Sequence, residues 1–304
     1  MSNHEGLSSN GESTERIIAA AFPHLRGRPV EFLDEGCDFR VFGVDGKWIF
    51  RFPKHGKSAR KLEMELALLP GLNLMREQAD SPSPRIPAYE YRGISPGEDR
   101  WPFGGYRKLP GVAAHASENI DLQSVTKQLG VFLGRLHGYP VDSAQRAGVP
   151  KMPDLVDYWH HRALTELASL HVDQIDANEV QRFLEDQRPA SFAGSACLTH
   201  NDLYTEHLLL DSGSGKVSAI IDWSDAVIGD PAIDFAALYP WLGPSGVQRV
   251  LASYSGPIDD QVLVRARYMA VGQSLRDITQ GGEEARPEWT DRGLAALRRA
   301  LRGN

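Results

Sequence analysis

The segment Cys197–Asp234 constrains this chain more than any other. Within it, two apolar runs, His207–Asp211 and Val217–Ile221, lie on either side of the polar sequence DSGSGK. This pattern is typical of a β-hairpin. One acidic residue, Asp202, precedes the hairpin, and a second, Asp222, follows it. Two carboxylates brought together in this way suit a divalent metal ion beside a hydroxyl group to be activated, which is the physical outline of phosphoryl transfer.

Each acidic residue of this segment also has a simpler interpretation as a turn residue or a helix cap. In DPAIDF, Asp230 followed by Pro231 is typical of a helix start, so we interpret Asp230 as structural. Asp222 ends the apolar run SAIID, where a carboxylate without a partner would be costly. Its position therefore indicates a cation, a metal ion or a cap. Two acids that bracket one hairpin favour the functional interpretation.

The composition of the chain changes near Pro110. A length of 304 residues is sufficient for two lobes. We predict a disordered tail over residues 1–13, an N-terminal lobe over 14–108 and a C-terminal lobe over 109–304. The N-terminal lobe is predicted to be a five-stranded antiparallel sheet with one long helix, Ser58–Leu72. Its extended segments are Val30–Leu33, Phe39–Val44, Trp48–Phe52, a stretch that follows the proline-rich sequence DSPSPRIPAYEY, and Trp101–Leu109.

Apolar residues recur at helical spacing through most of the remaining chain. The predicted helices outside the long one are Thr14–Phe22, Leu122–His137, Asp154–Leu170, Asn178–Asp186, Ile233–Leu242, Gly246–Ser253, Ile258–Ile278 and Arg292–Arg302. The expected fold class is therefore α+β, with a small antiparallel sheet followed by a larger, mostly helical lobe.

The net charge of −7 argues against a nucleic-acid binder, which needs a basic face. Residues 1–110 carry a net charge of +1, so the remainder carries −8. An acidic C-terminal half could attract a cationic substrate, or its charge could serve only to keep the protein soluble. The only two cysteines, Cys37 and Cys197, are far apart in the sequence, so no disulfide framework is expected, as for proteins of a reducing compartment. With no signal-peptide pattern and no long apolar run, we expect a cytoplasmic monomer that does not bind membranes.

These motifs together resemble the aminoglycoside phosphotransferase family, small-molecule kinases with a protein-kinase-like two-lobed fold. The catalytic-loop pattern of that family appears as His200-Asn201-Asp202 with His207 five residues later. Its metal-binding Asp after an apolar strand appears as Asp222, and its G-D-P-x-x-D-F signature as GDPAIDF. The sequence IFRFPKHGKSARKLEMELALL is similar to the third strand and following helix of the small lobe, and FGGYRKLPG to the interlobe hinge.

The resemblance implies a role for each matching residue. Asp202 would be the catalytic acid that orients the acceptor hydroxyl, His207 and Asp222 would bind Mg²⁺, and His200 and Asp234 would support the loop. The nucleoside triphosphate, ATP or GTP, would bind between the lobes. Its predicted contacts are Gly36 in the turn between the first two strands, Arg51 with its helix partner Glu65, Tyr106, Arg107, Lys108, Leu109 and Ile221. Predicted substrate contacts are Asp202, Glu206, Asp225 and Tyr239.

Two positions depart from the usual pattern of the family. Arg51 replaces the usual lysine, which keeps a cation but changes its hydrogen-bond geometry. His207 replaces the usual asparagine, as in the 2''-acting aminoglycoside kinases and the macrolide 2'-kinases. The acidic C-terminal half favours an aminoglycoside acceptor. The alternatives are a macrolide, a metabolite such as choline, homoserine or a sugar, or a kinase-like binding protein without turnover.

Overall fold

The computed structural model describes residues 11–79, 82–97, 99–152, 154–170 and 175–302. The chain divides into two compact units, Met1–Ala79 with Arg85–Pro110, and Asp80–Pro84 with Gly111–Asn304. This division lies two residues beyond the predicted lobe boundary. The first ten residues of the predicted tail lie outside the described residues, and the first helix begins at Gly11, three residues before the predicted start.

The smaller unit contains a five-stranded antiparallel sheet, as the sequence predicts, with the strand order β1-β2-β3-β5-β4. Its elements are α1 (Gly11–Ala21), β1 (Val30–Glu35), β2 (Phe39–Val44), β3 (Trp48–Pro53), α2 (Gly56–Glu77), β4 (Tyr89–Ile94) and β5 (Pro102–Arg107). Aromatic side chains from β2, β3 and β5 pack with Ile18 of α1 in one buried cluster. Burial of these large rings supplies most of the driving force for folding of this unit.

The long helix α2 begins two residues earlier than predicted and ends five residues later. Its start is fixed by a reciprocal cap, in which Nδ1 of His55 accepts from the backbone N–H of Ser58 at 3.1 Å, and the Ser58 hydroxyl accepts from the backbone N–H of His55 at 3.1 Å. Such a cap satisfies two backbone donors that a helix leaves unpaired at its start.

The larger unit is mostly helical. Its elements are β6 (Val112–Ala113), α3 (Leu122–His137), α4 (Val141–Arg146), α5 (Leu155–Ser169), α6 (Ala177–Asp186), β7 (Cys197–Thr199), β8 (Leu208–Leu210), β9 (Val217–Ile220), β10 (Val227–Gly229), α7 (Ala232–Leu251), α8 (Val262–Glu283) and α9 (Pro287–Arg302). Together with the sheet of the smaller unit, this arrangement confirms the predicted α+β class.

The predicted hairpin is present as the antiparallel pair β8 and β9, in which Leu208 lies opposite Ile220. A second small sheet, formed by β7 and β10, was not predicted. In it, Thr199 lies opposite Val227. Since β7 ends directly before His200 and β9 ends directly before Ile221, these two short sheets fix the starts of the two acid-bearing loops.

Helix α7 covers the two helices predicted over 233–242 and 246–253, which meet at a kink where Gly243 has a φ of 64°. Pro244 has no N–H to donate to the carbonyl of Pro240. The guanidinium of Arg299 donates to that carbonyl instead, and to the carbonyl of Trp241 at 3.1 Å. A side chain from α9 therefore donates hydrogen bonds to backbone carbonyls at the kink.

None of the helices described in the structure is long and apolar enough to cross a membrane.

Candidate active site

The loop after β7 is held at its start by the buried carboxylate of Asp234. One oxygen of Asp234 accepts from the backbone N–H of His200 at 3.0 Å, and the other accepts from the backbone N–H of Asn201 at 2.7 Å. The first oxygen also contacts Nε2 of His137 at 3.0 Å. A buried carboxylate is stable only with such partners. Asp234 therefore holds the backbone of the residue directly before Asp202.

His200 links this loop to the loop after β9. Its Nδ1 accepts from the backbone N–H of Asp202 at 3.3 Å, so the proton lies on Nε2, which donates to the carbonyl of Ile221 at 3.1 Å. Burial lowers the pKa of His200 to about 4, so the ring is neutral near pH 7. This single imidazole sets the spacing between the backbone at Asp202 and the residue before Asp222.

Both loops pass through the left-handed region of backbone conformation. The φ angle is 64° at Asn201 and 61° at Asp222. Asn and Asp tolerate this conformation better than other residues with a side chain, but it still costs free energy. The side-chain amide of Asn201 donates to the carbonyl of Asp225 at 3.0 Å, which joins the two loops a second time. Strained backbone held by such contacts is common at functional sites.

Asp202, His207 and Asp222 converge on one side of these loops. The distance from Nδ1 of His207 to the nearer carboxylate oxygen of Asp202 is 3.3 Å, and that from Nε2 of His207 to the nearer oxygen of Asp222 is 3.9 Å. The exposed fractions of the three side chains are 28% for Asp202, 21% for His207 and 31% for Asp222. The imidazole thus lies between two carboxylates that solvent or a ligand can reach.

Asp222 and His207 fit a divalent cation. The Nδ1 atom of His207 lies 2.7 Å from the backbone carbonyl of Asp202, which can only accept, so the proton of the neutral ring lies on Nδ1 and Nε2 is an acceptor. Ligand distances of about 2.1 Å allow one Mg²⁺ ion to reach two acceptors up to ~4.2 Å apart, and Nε2 lies 3.9 Å from Asp222.

No group of three or more His, Cys, Asp and Glu side chains that could hold a metal ion occurs within the part of the chain that the structure describes. Mg²⁺ usually keeps several waters and binds one or two protein groups together with the phosphates of a substrate. A site with two protein ligands is therefore consistent with this ion.

The electrostatic environment of Asp202 suits a group that accepts a proton. Burial, together with the nearby carboxylates of Asp225 and Asp222, raises the pKa of Asp202 to about 6, while His207 and Arg276 act in the opposite direction. A carboxyl group with a pKa closer to neutrality is a stronger base than an ordinary aspartate. Such a shift is common at catalytic positions.

The residues predicted to bind the substrate lie in three different environments. Asp225 is half-buried, and its charge acts on Asp202. Glu206 forms a close ion pair with Arg292. Tyr239 is only 3% exposed, within the core of α7. Of these three residues, only Asp225 thus acts on Asp202 by its charge, while Glu206 pairs with a cation of the protein and Tyr239 is buried.

In the smaller unit, Arg51 and Glu65 form the ion pair that the resemblance implied, with 2.5 Å between a guanidinium nitrogen and a carboxylate oxygen. The guanidinium lies 4.1 Å from the ring centre of Phe39, and the hydroxyl of Tyr89 donates to Glu65 at 3.3 Å. Arg51 is 4% exposed. Ring and carboxylate together hold this cation in one orientation.

Gly36 lies in the turn between β1 and β2, as predicted, and a side chain there would meet nothing within 4 Å. Its carbonyl accepts from the ammonium of Lys54 at 2.9 Å, and Lys54 also pairs with Glu35 at 2.9 Å. Lys54 therefore holds this turn, a role that the sequence analysis did not assign.

The predicted hinge residues Tyr106 and Arg107 belong to β5, where they lie opposite Ile49 and Trp48 of β3. The backbone N–H of Lys108 donates to the carbonyl of Lys47 at 2.7 Å, which extends the pairing by one residue. In the larger unit, the N–H of Ile221 donates to the carbonyl of His207 at 2.9 Å. The nucleotide contacts assigned to these residues and to Leu109 stay predictions.

Residues 29–268 match the sequence profile of the Phosphotransferase enzyme family, APH. This chain belongs to that family. Its membership confirms the resemblance seen in the sequence, and it makes the protein a phosphotransferase with an alcohol group as acceptor.

Relatives of known sequence and structure agree with this assignment. The uncharacterized protein YcbJ of Bacillus subtilis (strain 168) is 28% identical over 239 residues, 73% of each chain. Viomycin phosphotransferase of Streptomyces vinaceus is 28% identical over 213 residues, 66% of this chain and 72% of that protein. The solved GDP and kanamycin complex of APH(2")-IIia has a TM-score of 0.77 at 25% identity, and the match covers 96% of this chain and 99% of that chain.

Several charged residues whose charges act near Asp202 were not predicted from the sequence. Arg276 and Asp277 of α8 and Arg292 of α9 are among the groups whose charges act on Asp202, on its neighbour Tyr204, or on both. One signal was available, because adjacent charges in the apolar helical sequence YMAVGQSLRDI are unusual. The spacing of apolar residues in that helix does not show which other elements it packs against.

Proposed function

We propose that this phosphotransferase moves the γ-phosphate of ATP or GTP to a hydroxyl group of a cationic antibiotic, of which an aminoglycoside is the favoured class. The observation that carries the proposal is that His207 lies between two carboxylates. Asp202 lies 3.3 Å from its Nδ1 atom, and Asp222 lies 3.9 Å from its Nε2 atom. One carboxylate is available for the acceptor, and the other is available for a metal ion.

In this proposal Asp202 orients the acceptor hydroxyl and takes its proton as the oxygen attacks phosphorus. A pKa of about 6 still leaves Asp202 mostly ionised at pH 7 and makes it a stronger base than an ordinary aspartate. His200 and Asp234 fix the backbone on either side of Asn201, so that Asp202 is positioned before the acceptor binds. Positioning and electrostatic stabilisation account for most of the rate in this type of reaction.

His207 and Asp222 would hold Mg²⁺, which neutralises charge on the transferred phosphoryl group when bound. Arg51, held by Glu65 and Phe39, would contribute a fixed cation for the phosphates of the nucleotide. The Gly36 turn would allow close approach of backbone to those phosphates. GDP in the solved complex of APH(2")-IIia supports a nucleotide co-substrate.

The substrate class is proposed from charge and from the relatives. Asp225 lies near Asp202 and carries a negative charge that an ammonium group of the acceptor would balance. The structural relative binds kanamycin, and a sequence relative is named for its action on viomycin. An antibiotic that carries amine groups fits the negative charge near Asp202 and agrees with the compounds named for these two relatives.

The test is a phosphorylation screen of the purified protein with Mg²⁺ and either ATP or GTP. The acceptors are kanamycin, viomycin, hygromycin and erythromycin, with choline and homoserine as metabolite acceptors. We expect a phosphorylated product, identified by mass spectrometry, from an amine-bearing antibiotic, and none from the matched Asp202→Asn variant. Nucleotide binding without any phosphorylated product would instead identify a catalytically silent binding protein.

A further inference from the structure

The loop that carries Asp202 is held at two places, and only the first was foreseen. At its start, Asp234 accepts two backbone N–H groups. At its end, Glu206, the residue directly before His207, pairs closely with Arg292 from the last helix. The two anchors thus lie on either side of the residues that carry the proposed chemistry.

Arg292 has three partners, which fix its guanidinium group. It pairs with Glu206, its Nε atom lies 3.1 Å from a carboxylate oxygen of Asp277 on α8, and the guanidinium lies 5.1 Å from the ring centre of Tyr204. The side chain of Arg292 is 23% exposed. A planar guanidinium held by two carboxylates and an aromatic ring has little freedom to move.

We infer that Arg292 is a positioning residue for the phosphotransfer reaction, which acts on His207 and Asp202 through Glu206 and Tyr204. The inference rests on the proposed function. Glu206 directly precedes His207, so a shift of Glu206 moves the backbone of the metal ligand. Tyr204 lies between Asp202 and Glu206 in the same loop, and the Arg292 guanidinium covers its ring.

This inference changes the role of Glu206. The sequence analysis assigned Glu206 to the substrate, but an ammonium group of the substrate would have to displace Arg292 from it. Loss of one partner leaves the other charge partly buried and unpaired, which is costly. Glu206 is therefore an anchor of the loop.

A merely structural role of Arg292 predicts a different result from a positioning role. If the residue only attaches α9 to the rest of the unit, its loss lowers the melting temperature and leaves turnover by the folded protein intact. If it positions the loop, its loss lowers kcat and raises the Mg²⁺ concentration needed for half-maximal rate. The metal requirement separates the two, because α9 supplies no metal ligand.

The experiment is a double-mutant cycle of Glu206→Gln, Arg292→Gln and the double variant, with Arg292→Lys added. We expect each single change to lower kcat and to raise the half-saturating Mg²⁺ concentration by about tenfold, as loss of a group that orients a ligand does. The double variant should be no worse than either single one, because both act through one contact. Arg292→Lys should retain an intermediate rate, since it keeps the charge without the planar fork.

Arg286→Gln is the matched control, because Arg286 also pairs with a carboxylate, Glu288, and covers an aromatic ring, Trp289, and both of these partners belong to α9 and not to the loop. It should leave kcat and the Mg²⁺ requirement unchanged. Additive effects in the cycle, or normal turnover with a lowered melting temperature, would overturn the inference. If the wild-type protein transfers no phosphate, the proposed function fails. The positioning of His207 is then judged by Mg²⁺-dependent GDP or ADP binding in the same variants.

Discussion

The backbone carbonyl of Asp202 lies 2.7 Å from Nδ1 of His207, so the loop that carries the proposed catalytic aspartate also sets the tautomer of the proposed metal ligand. A carbonyl can only accept, which places a ring proton on Nδ1 and leaves Nε2, 3.9 Å from Asp222, as the nitrogen that would bind a metal ion. In the proposed mechanism, proton acceptance and metal binding are therefore linked through one hydrogen bond.

The first prediction concerns the metal. Asp222→Asn should raise the Mg²⁺ concentration needed for half-maximal rate by at least ~10-fold, because a neutral amide is a weaker ligand than a carboxylate. Titration of Mg²⁺ in a coupled nucleoside-diphosphate assay measures this value. Ser224→Ala is the control, since it removes only the hydrogen bond to the other oxygen of Asp222, at 2.9 Å, and should have a smaller effect. Equal metal requirements in Asp222→Asn and wild type would exclude Asp222 as a ligand.

The second prediction concerns the pH dependence of turnover. The proposed mechanism requires ionised Asp202, whose pKa is raised to about 6 by burial and by neighbouring carboxylates. The rate should therefore rise with pH and level off, with a midpoint at about 6 or lower because bound Mg²⁺ favours the ionised form. Asp225→Asn removes one of the charges that raise this pKa, so its midpoint should lie at lower pH. A pH–rate profile of kcat/KM tests both statements, and an upward shift in Asp225→Asn would contradict the assignment.

The third prediction concerns stability, and its sign follows from the same pKa. Asp202 has a pKa of about 6 in the folded protein against 3.8 for an ordinary aspartate, so its ionisation destabilises the fold fully above pH 6 and not below about pH 4. Asp202→Asn should raise the melting temperature of the metal-free protein by about 2–4 °C at pH 7.5, the shift that ~1 kcal/mol produces in a unit of this size. Near pH 4 the two proteins should melt together. A lower melting temperature for the variant at pH 7.5 would show that the carboxylate is stabilising.

The core of the site could be predicted because its residues are close in sequence. Asp202, His207 and Asp222 lie on loops that flank a single hairpin, and the two apolar runs on either side of the polar sequence DSGSGK made that hairpin recognisable. The five-stranded sheet and the long helices were predictable for the same reason, since each depends on a local periodicity.

The parts that could not be predicted depend on contacts between distant segments or on very short elements. Strands β7 and β10 have three residues each, too few to show any period. The pairing of Glu206 with Arg292 joins a loop to the last helix, and no spacing rule connects them. Glu206 was therefore predicted as a substrate contact, and its partner Arg292 was not predicted.

The fourth prediction concerns the smaller unit. Arg51→Gln should raise the KM for the nucleotide about tenfold, because it removes a charged donor whose contribution is ~1.5–3 kcal/mol. The KM for the acceptor should stay unchanged. Arg28→Gln is the control, since Arg28 lies in the same unit and forms an exposed ion pair with Asp45 at 3.5 Å. Steady-state kinetics with varied nucleotide distinguishes them, and equal KM values for Arg51→Gln and wild type would exclude Arg51 as a phosphate contact.

The fifth prediction separates support of the loop from support of the fold. Asp234 accepts two backbone N–H groups of the catalytic loop, and an asparagine in its place would direct an N–H₂ group at one of these donors. Asp234→Asn should therefore lower the free energy of unfolding by about 2–4 kcal/mol and also lower kcat at a temperature where the protein is folded. Asp230→Asn is the matched control, because Asp230 is equally buried and pairs with Arg265 at 2.6 Å. That variant should lose stability while its folded form keeps its kcat. Thermal unfolding and turnover measured on both variants decide the matter, and an equal loss of kcat in the two would mean that Asp234 acts on the fold alone.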